Sequence, residues 1–235
     1  VSSSGVVTVG EAIDFNHFIK HGRFVIRFGD YPFVTHVKLP HMLSLVGAPT
    51  TAPKVTMVLN SKSLLSLVGA PAEVKSFFVN AENLESLDGL PRKTKFLTLE
   101  SQKLTSLKGL SSGEHETVNL SECYSVLNTD GLRGLSLYTI NLPRALNELT
   151  ELPESAREIK LNCHVYNIAS IMLIKGLQKL RPYSSLGANG SKELAARSKK
   201  IAELLQDVLD EHAKPKDRFL KAQDVLIEAG YEDLV

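Results

Sequence analysis

The chain has 235 residues, and 27 lysines and arginines stand against 26 aspartates and glutamates, for a formal net charge of +1. This balance argues against the extended positive field of a dedicated nucleic-acid-binding protein. No apolar stretch has the length of a membrane span, and two cysteines are too few for a disulfide framework.

Residues 1–32 are predicted to form an N-terminal cap. They combine alternating apolar residues with a short helical pattern over 11–20. Phe15, Phe18 and Phe24 are candidate covering side chains, because the first unit of a stacked array leaves its core open at one end. His17 and His21 share one helical face, but no carboxylate at metalloprotease spacing accompanies them.

A short phrase recurs along residues 33–166. Leu-Val-Gly-Ala-Pro occurs twice, and related Leu-x-Gly phrases follow, with glycines spaced by 22, 20, 20 and 22 residues. A period of this length marks a solenoid, in which each unit buries its apolar face only by stacking on the next. The recurring glycines are Gly47, Gly69, Gly89, Gly109 and Gly131.

Each unit carries an apolar pair at alternating positions, then a polar stretch, then two leucines three apart before the glycine. The clearest copy has Leu97 and Leu99 as its pair, followed by Leu104, Leu107 and Gly109. The alternation predicts a short strand with one buried face. About seven such strands, from 33–39 to the pair Ile159 and Leu161, are expected to form one parallel sheet.

The Leu-x-x-Leu-x-Leu spacing, with a turn after each strand, resembles the leucine-rich repeat (LRR) family over residues 33 to 163. The phrase Leu-x-Ser-Leu-x-Gly-Ala-Pro is most similar to the short LRR proteins of large tailed bacteriophages. The resemblance implies an α/β solenoid with a curved parallel β-sheet, an N-terminal cap and C-terminal helices. Ser61, Ala81 and Ser101 stand where the family usually has an asparagine ladder, so irregular turns are expected.

The residue between each buried pair is predicted to lie on the concave face, and so is a flanking column that contains Thr56, Ser76 and Phe96. The LRR resemblance implies that this is the binding face. An exposed apolar cluster in the early units, with polar residues beyond it, is typical of a protein-binding patch. The alternatives are a register shifted by one residue, which would bury these side chains, or an N-terminal segment folded over them. The candidate protein-binding residues are Val58, Phe78, Phe96, Thr98, Asn119, Asn141 and Lys160.

Residues 167–190 are predicted to be a capping helix over 168–180 and a turn-rich linker. Residues 191–235 are predicted to be a helical hairpin: one helix begins at Ser191 and ends near His212, Pro215 breaks it, and a second runs from Asp217 to Gly230. The hairpin either folds back on the sheet as a cap or docks on a partner or a second copy.

The chain shows no catalytic constellation. It has no phosphate-binding loop, nucleophile elbow or Cys-x-x-Cys pair. Bacterial LRR ubiquitin ligases keep their catalytic cysteine in a helical domain after the repeats, whereas Cys163 lies in the last predicted repeat. A structural cysteine is therefore expected here, and the sequence predicts a non-enzymatic protein-protein interaction module with no cofactor and no metal.

The resemblance to phage proteins implies a context. It suggests a virion structural component held by capsid, portal or tail subunits, or an early protein that binds and inhibits a host factor. Either would act in the virion or in the cytoplasm of the infected bacterial host, without a membrane or nucleic-acid partner. The start at Val1 is what proteolytic maturation or tag removal would leave. A bacterial LRR effector is the remaining alternative.

Overall fold

The computed structural model describes residues 6–8, 36–40, 44–46, 48–183 and 192–235, the first two ranges as backbone only. Most of the predicted N-terminal cap, including His17 and His21, lies outside the described residues. The linker over 184–191 lies outside them too.

The described residues form a parallel sheet of nine strands in sequential order, each hydrogen-bonded to the next along the chain. This confirms the predicted α/β solenoid. All seven predicted strands are present, and one further strand extends the sheet at each end. The strands are β1 (Val6–Thr8), β2 (His36–Pro40), β3 (Ala52–Asn60), β4 (Val74–Asn80), β5 (Lys93–Ser101), β6 (Glu114–Cys123), β7 (Thr139–Asn141), β8 (Glu158–Leu161) and β9 (Lys179–Pro182).

The register of the sheet is the one predicted from the alternating pairs. In β4, Phe77 is 0% exposed and Val79 is 1% exposed, while Phe78 between them is half-buried. Phe77 is paired with Leu97 of β5, and the pairing continues the same buried row from strand to strand. The shifted register is therefore wrong for β3 to β8, because it would expose the largest fully buried side chain of the core.

The recurring glycines close the turns behind the strands. Gly69 and Gly89 have φ angles of 91° and 85°, a left-handed conformation that side chains disfavour. A Cβ on Gly89 would overlap the carbonyl of Leu67 in the preceding unit, and one on Gly69 would overlap the backbone of Val46. The glycine is thus required both by the bend and by the close stacking of neighbouring units.

The segment after β8 differs from the prediction. A 3-10 helix, η1 (Ile168–Leu173), replaces the expected capping helix over 168–180, and the chain then forms β9. Leu180 is buried in register with Ile159 of β8. The apolar residues that were predicted to form a helical stripe instead form one more turn of the solenoid. Burial against β8 outweighs a weak local helical pattern.

The C-terminal helices are α1 (Lys192–Glu211) and α2 (Pro215–Glu228), followed by a 3-10 helix, η2 (Glu232–Leu234). Helix α1 packs on β9 and helix α2 packs on η1, so the hairpin covers the C-terminal end of the solenoid. Buried Arg218 of α2 donates a 2.9 Å hydrogen bond to the carbonyl of Ile174. Of the two alternatives for the hairpin, the structure shows the one in which it folds back on the solenoid as a cap. Leu194, expected in the buried stripe of α1, is 42% exposed.

Candidate protein-binding face

The face of the sheet that points away from the core, here called the outer face, carries a central row of side chains in register. Six of the seven candidate residues lie in this row, and all six are half-buried. Phe96 lies in the adjacent row, paired with Ser76 and Thr117. From β3 onward the central row is Val58, Phe78, Thr98, Asn119, Asn141, Lys160 and Arg181, and Lys38 of β2 is in register with Val58.

Strands β3 to β5 carry an apolar cluster, formed by Val58, Phe78 and Phe96. Phe96 is 38% exposed, and Val58 and Phe78 are half-buried. Thr56 and Ser76, predicted to lie on this face beside the cluster, are instead buried. Exposed Asn60 and Asn80 follow Val58 and Phe78 on the same strands, so the apolar side chains have polar neighbours.

The middle of the row is neutral and polar. Thr98, Asn119 and Asn141 follow one another on β5, β6 and β7. The side-chain oxygen of Asn119 accepts a hydrogen bond from the backbone N–H of Ser121 at 3.2 Å, and Asn141 donates to the same oxygen at 3.4 Å. The contacts between these side chains are long, so their remaining donors and acceptors are free to bind a ligand.

The last strands of the row carry positive charge around one tyrosine. Tyr183 follows β9 and donates a 2.7 Å hydrogen bond to the carbonyl of Leu142. The Lys160 ammonium lies 4.9 Å from the centre of its ring, and the Arg144 guanidinium lies 5.1 Å from it. Burial raises the pKa of the Tyr183 phenol above its ordinary value, so the hydroxyl stays protonated as a donor.

The charges at this end, called the cationic end, are only partly neutralised. Arg181 pairs with Glu158 at 2.7 Å, and Arg144 pairs with Glu122 at 3.4 Å. Lys160 has no carboxylate partner among the described residues. Its ammonium lies over the face of the Tyr183 ring.

Arg181 and Tyr183 were missed in the sequence because β9 was read as the end of a helix. A signal was present. Leu180 follows Ile159 by 21 residues, close to the repeat period, and Lys179-Leu180-Arg181 repeats the polar-apolar-polar alternation of a strand. A continued search at that period would have found the last turn of the solenoid.

A serine and a histidine meet where α1 packs on the last repeat. Ser198 Oγ and His164 Nε2 are 3.0 Å apart, a geometry found in nucleophilic sites. Ser198 is only 1% exposed and lies within a helix that packs on the solenoid, so a substrate cannot reach its hydroxyl. The nearby pair of Arg197 and Asp233, 2.8 Å apart, ties α1 to η2. The arrangement holds the cap in place.

Both cysteines are buried and unreactive. Burial raises the pKa of the Cys163 thiol to about 12, and it does the same for Cys123. Cys123 Sγ donates to the carbonyl of Leu99 at 3.3 Å, which places the side chain in the polar ladder behind the strands. In the described ranges, no cluster of acidic, histidine and cysteine side chains is suited to a metal ion. The described helices include none with the length and hydrophobicity of a membrane-spanning segment.

Comparisons with protein-family models, with curated proteins and with solved structures gave no match.

Proposed function

We propose that this chain is a non-enzymatic protein-protein interaction module of the LRR type whose partner binds the outer face of the sheet. The observation that carries the proposal is the apolar cluster of Val58, Phe78 and Phe96. It lies on β3 to β5, and polar side chains follow it on β5 to β9. Apolar surface bordered by polar side chains favours contact with another protein.

The non-enzymatic part of the proposal is supported by the burial of the reactive groups. Cys163 is fully buried with a raised pKa, and Ser198 is fully buried beside His164. A catalytic nucleophile at Cys163 or Ser198 would have to reach a substrate, and burial keeps both groups from doing so. Replacing Cys163 by Ala is expected to leave every function of the protein unchanged.

The context we propose is a tailed bacteriophage, with the chain as a virion component held by neighbouring capsid, portal or tail subunits. The support is the resemblance of its Leu-x-Ser-Leu-x-Gly-Ala-Pro phrases to short phage LRR proteins. A phage early protein that inhibits a host factor would use the same face. Fixed stoichiometry with virion proteins favours the first role, and one captured host protein favours the second.

The test is affinity capture with the full chain and two variants, followed by mass spectrometry. Phe78→Thr replaces the exposed ring with the residue that the next repeat carries at the same position, Thr98, so the strand is preserved. Leu65→Asp places a larger chemical change at a site that is 55% exposed outside the sheet. We expect Phe78→Thr to lose the partner and Leu65→Asp to retain it.

One result would count against the proposal, and one would call for a second variant. Partner recovery that is equal for wild type and Phe78→Thr would remove the outer face as the binding site. An unfolded Phe78→Thr protein would be detected by circular dichroism. In that case Phe96→Ser, a substitution at a more exposed position, replaces it in the same comparison.

A further inference from the structure

We infer that the outer face binds an extended segment of a partner protein with a bulky apolar side chain at one end and acidic side chains about six residues away. The inference rests on the proposed function and adds the chemistry of the partner. It follows from the polarity of the central row from β3 onward, which is apolar at β3 and β4, neutral at β5 to β7, and cationic at β8 and β9.

The spacing of the two ends sets the length of the segment. Phe78 on β4 and Lys160 on β8 are separated by four strand steps in the row. Neighbouring strands lie about 4.8 Å apart, so the two side chains are roughly 19 Å apart, and an extended chain covers that distance in about six residues. A partner side chain in the apolar cluster therefore places residues six positions along beside Lys160.

The charges favour an acidic group at the second position. Lys160 has no carboxylate partner among the described residues, and neither has Lys179 in the neighbouring row. The existing acids of this end, Glu122 and Glu158, are already paired with arginines. A carboxylate arriving from a partner would be held by an ammonium that is fixed in position over the Tyr183 ring.

The neutral middle of the row favours an extended backbone over a helix. Thr98, Asn119 and Asn141 offer hydroxyl and amide groups at successive strands. An extended chain has free N–H and C=O groups to pair with them, whereas a helix has already used its own. The row therefore matches a segment that needs external hydrogen bonds along its length.

An acidic residue in the middle of the face favours a protein over a nucleic acid. Glu100 lies on β5, away from the cationic end, and a chain of phosphates across the strands would meet its carboxylate. A protein segment concentrates its negative charge at one end and avoids that repulsion.

The experiment is a selection of displayed random peptides of about 12 residues against the full chain, since this length exceeds the span of the row. We expect the enriched peptides to carry a large apolar residue and at least two acidic residues about six positions away. Binding of the best peptide should weaken about tenfold with Lys160→Glu and should fall with added salt. The matched control, Lys108→Glu, reverses an exposed charge in a glycine turn behind the sheet and should bind as wild type.

The outcomes separate this inference from the proposed function. The inference would be overturned, and the proposed function left intact, if the selected peptides lack acidic residues and their binding is lost with Phe78→Thr but unchanged with Lys160→Glu. Peptides that tolerate both Phe78→Thr and Lys160→Glu would overturn both. A selection that yields no binding peptide would overturn the inference. So would a fluorescent oligothymidylate that binds the wild-type chain and no longer binds the Lys160→Glu variant. In both cases partner capture would still test the proposed function.

Discussion

The side-chain amide of Gln206 in α1 pairs with the free edge of β9 at Leu180. Its oxygen accepts the Leu180 N–H at 3.0 Å, and its nitrogen donates to the carbonyl of Gln178 at 3.3 Å. In a further parallel strand, one residue would make the same two bonds with its own backbone N–H and C=O. The next outward-facing nitrogen of β9 belongs to Pro182, which has no hydrogen to donate. The sheet is thus terminated by one glutamine and one proline, and this edge is closed to pairing with another chain.

Gln206→Leu tests that termination. The substitution leaves the Leu180 N–H and the Gln178 carbonyl without their partner, and we expect the free energy of unfolding to fall by about 1 to 3 kcal/mol. Hydrogen exchange at the Leu180 amide should accelerate more than exchange elsewhere in β9. Gln102→Leu, the same change at an exposed turn position, is the control and should leave both quantities unchanged. Unchanged protection of Leu180 in Gln206→Leu would contradict the role given to this amide.

Adjacent phenylalanines on β4 test the register of the sheet. Phe77 is fully buried, so Phe77→Ala should lower the free energy of unfolding by about 3 to 5 kcal/mol. Phe78 faces outward, and Phe78→Thr should cost only about 1 kcal/mol, because threonine suits a strand and the ring is half-exposed. Urea unfolding of the two variants measures the difference. Equal losses would show that both rings belong to the core.

Two glycines with positive φ separate the cost of the turn from the cost of stacking. Gly230, after α2, has a φ of 78° and open space around it, so Gly230→Ala should cost about 1 to 2 kcal/mol from the left-handed backbone alone. Gly89 has a similar φ, but a Cβ there overlaps the Leu67 carbonyl. Gly89→Ala should therefore cost distinctly more in a thermal or urea unfolding measurement. Similar losses at both sites would mean that the repeats can move apart without penalty.

His115 should make the stability of the solenoid depend on pH. It is 5% exposed, shares a 2.9 Å hydrogen bond with Thr94, and burial lowers its pKa to about 4. In the unfolded chain the pKa is near 6.5, so the unfolded state takes up a proton first as the pH falls. The stability gained by burying neutral His115 is fully present above pH 6.5 and falls as the pH drops from 6.5 to 4. Roughly 2 kcal/mol of it is lost by pH 5.

The measurement is urea unfolding at neutral pH and at about pH 5 for wild type and His115→Gln, which keeps a polar side chain beside Thr94. We expect the variant to lose less stability on acidification than wild type, because one buried neutral histidine is gone. His164, whose pKa is also lowered by burial, is present in both proteins and cancels in the comparison. An equal loss in the two proteins would show that His115 takes up its proton in the folded state without cost.

Local patterns were sufficient to predict the repeating part of this fold. The pairs such as Leu97 and Leu99, with a glycine at a fixed distance behind them, specify strand, buried face and turn within about 20 residues, and each unit must stack on the next to bury its leucines. The candidate row from Val58 to Lys160 could be predicted for the same reason, since the alternation of side chains along a strand decides which of them face outward.

The two C-terminal helices could be placed on the sequence but not in space. The stripe containing Ile201 and Leu205 indicates which side of α1 is apolar, yet it fits the end of the solenoid and the surface of a partner equally well. Only the contacts between α1 and β9 show that the helices cap the solenoid. No sequence pattern predicts that the Gln206 amide pairs with Leu180.

The sequence by itself determined the strands, their register, the glycine turns and the residues that face outward, because each depends on spacing within one repeat. The tertiary structure alone decided that Tyr183 gathers Arg144 and Lys160 into a cationic end. It also decided that the helices close the sheet. These features depend on contacts between residues of different repeats and of the cap. Their energies come from burial and pairing between distant segments, which local sequence patterns do not show.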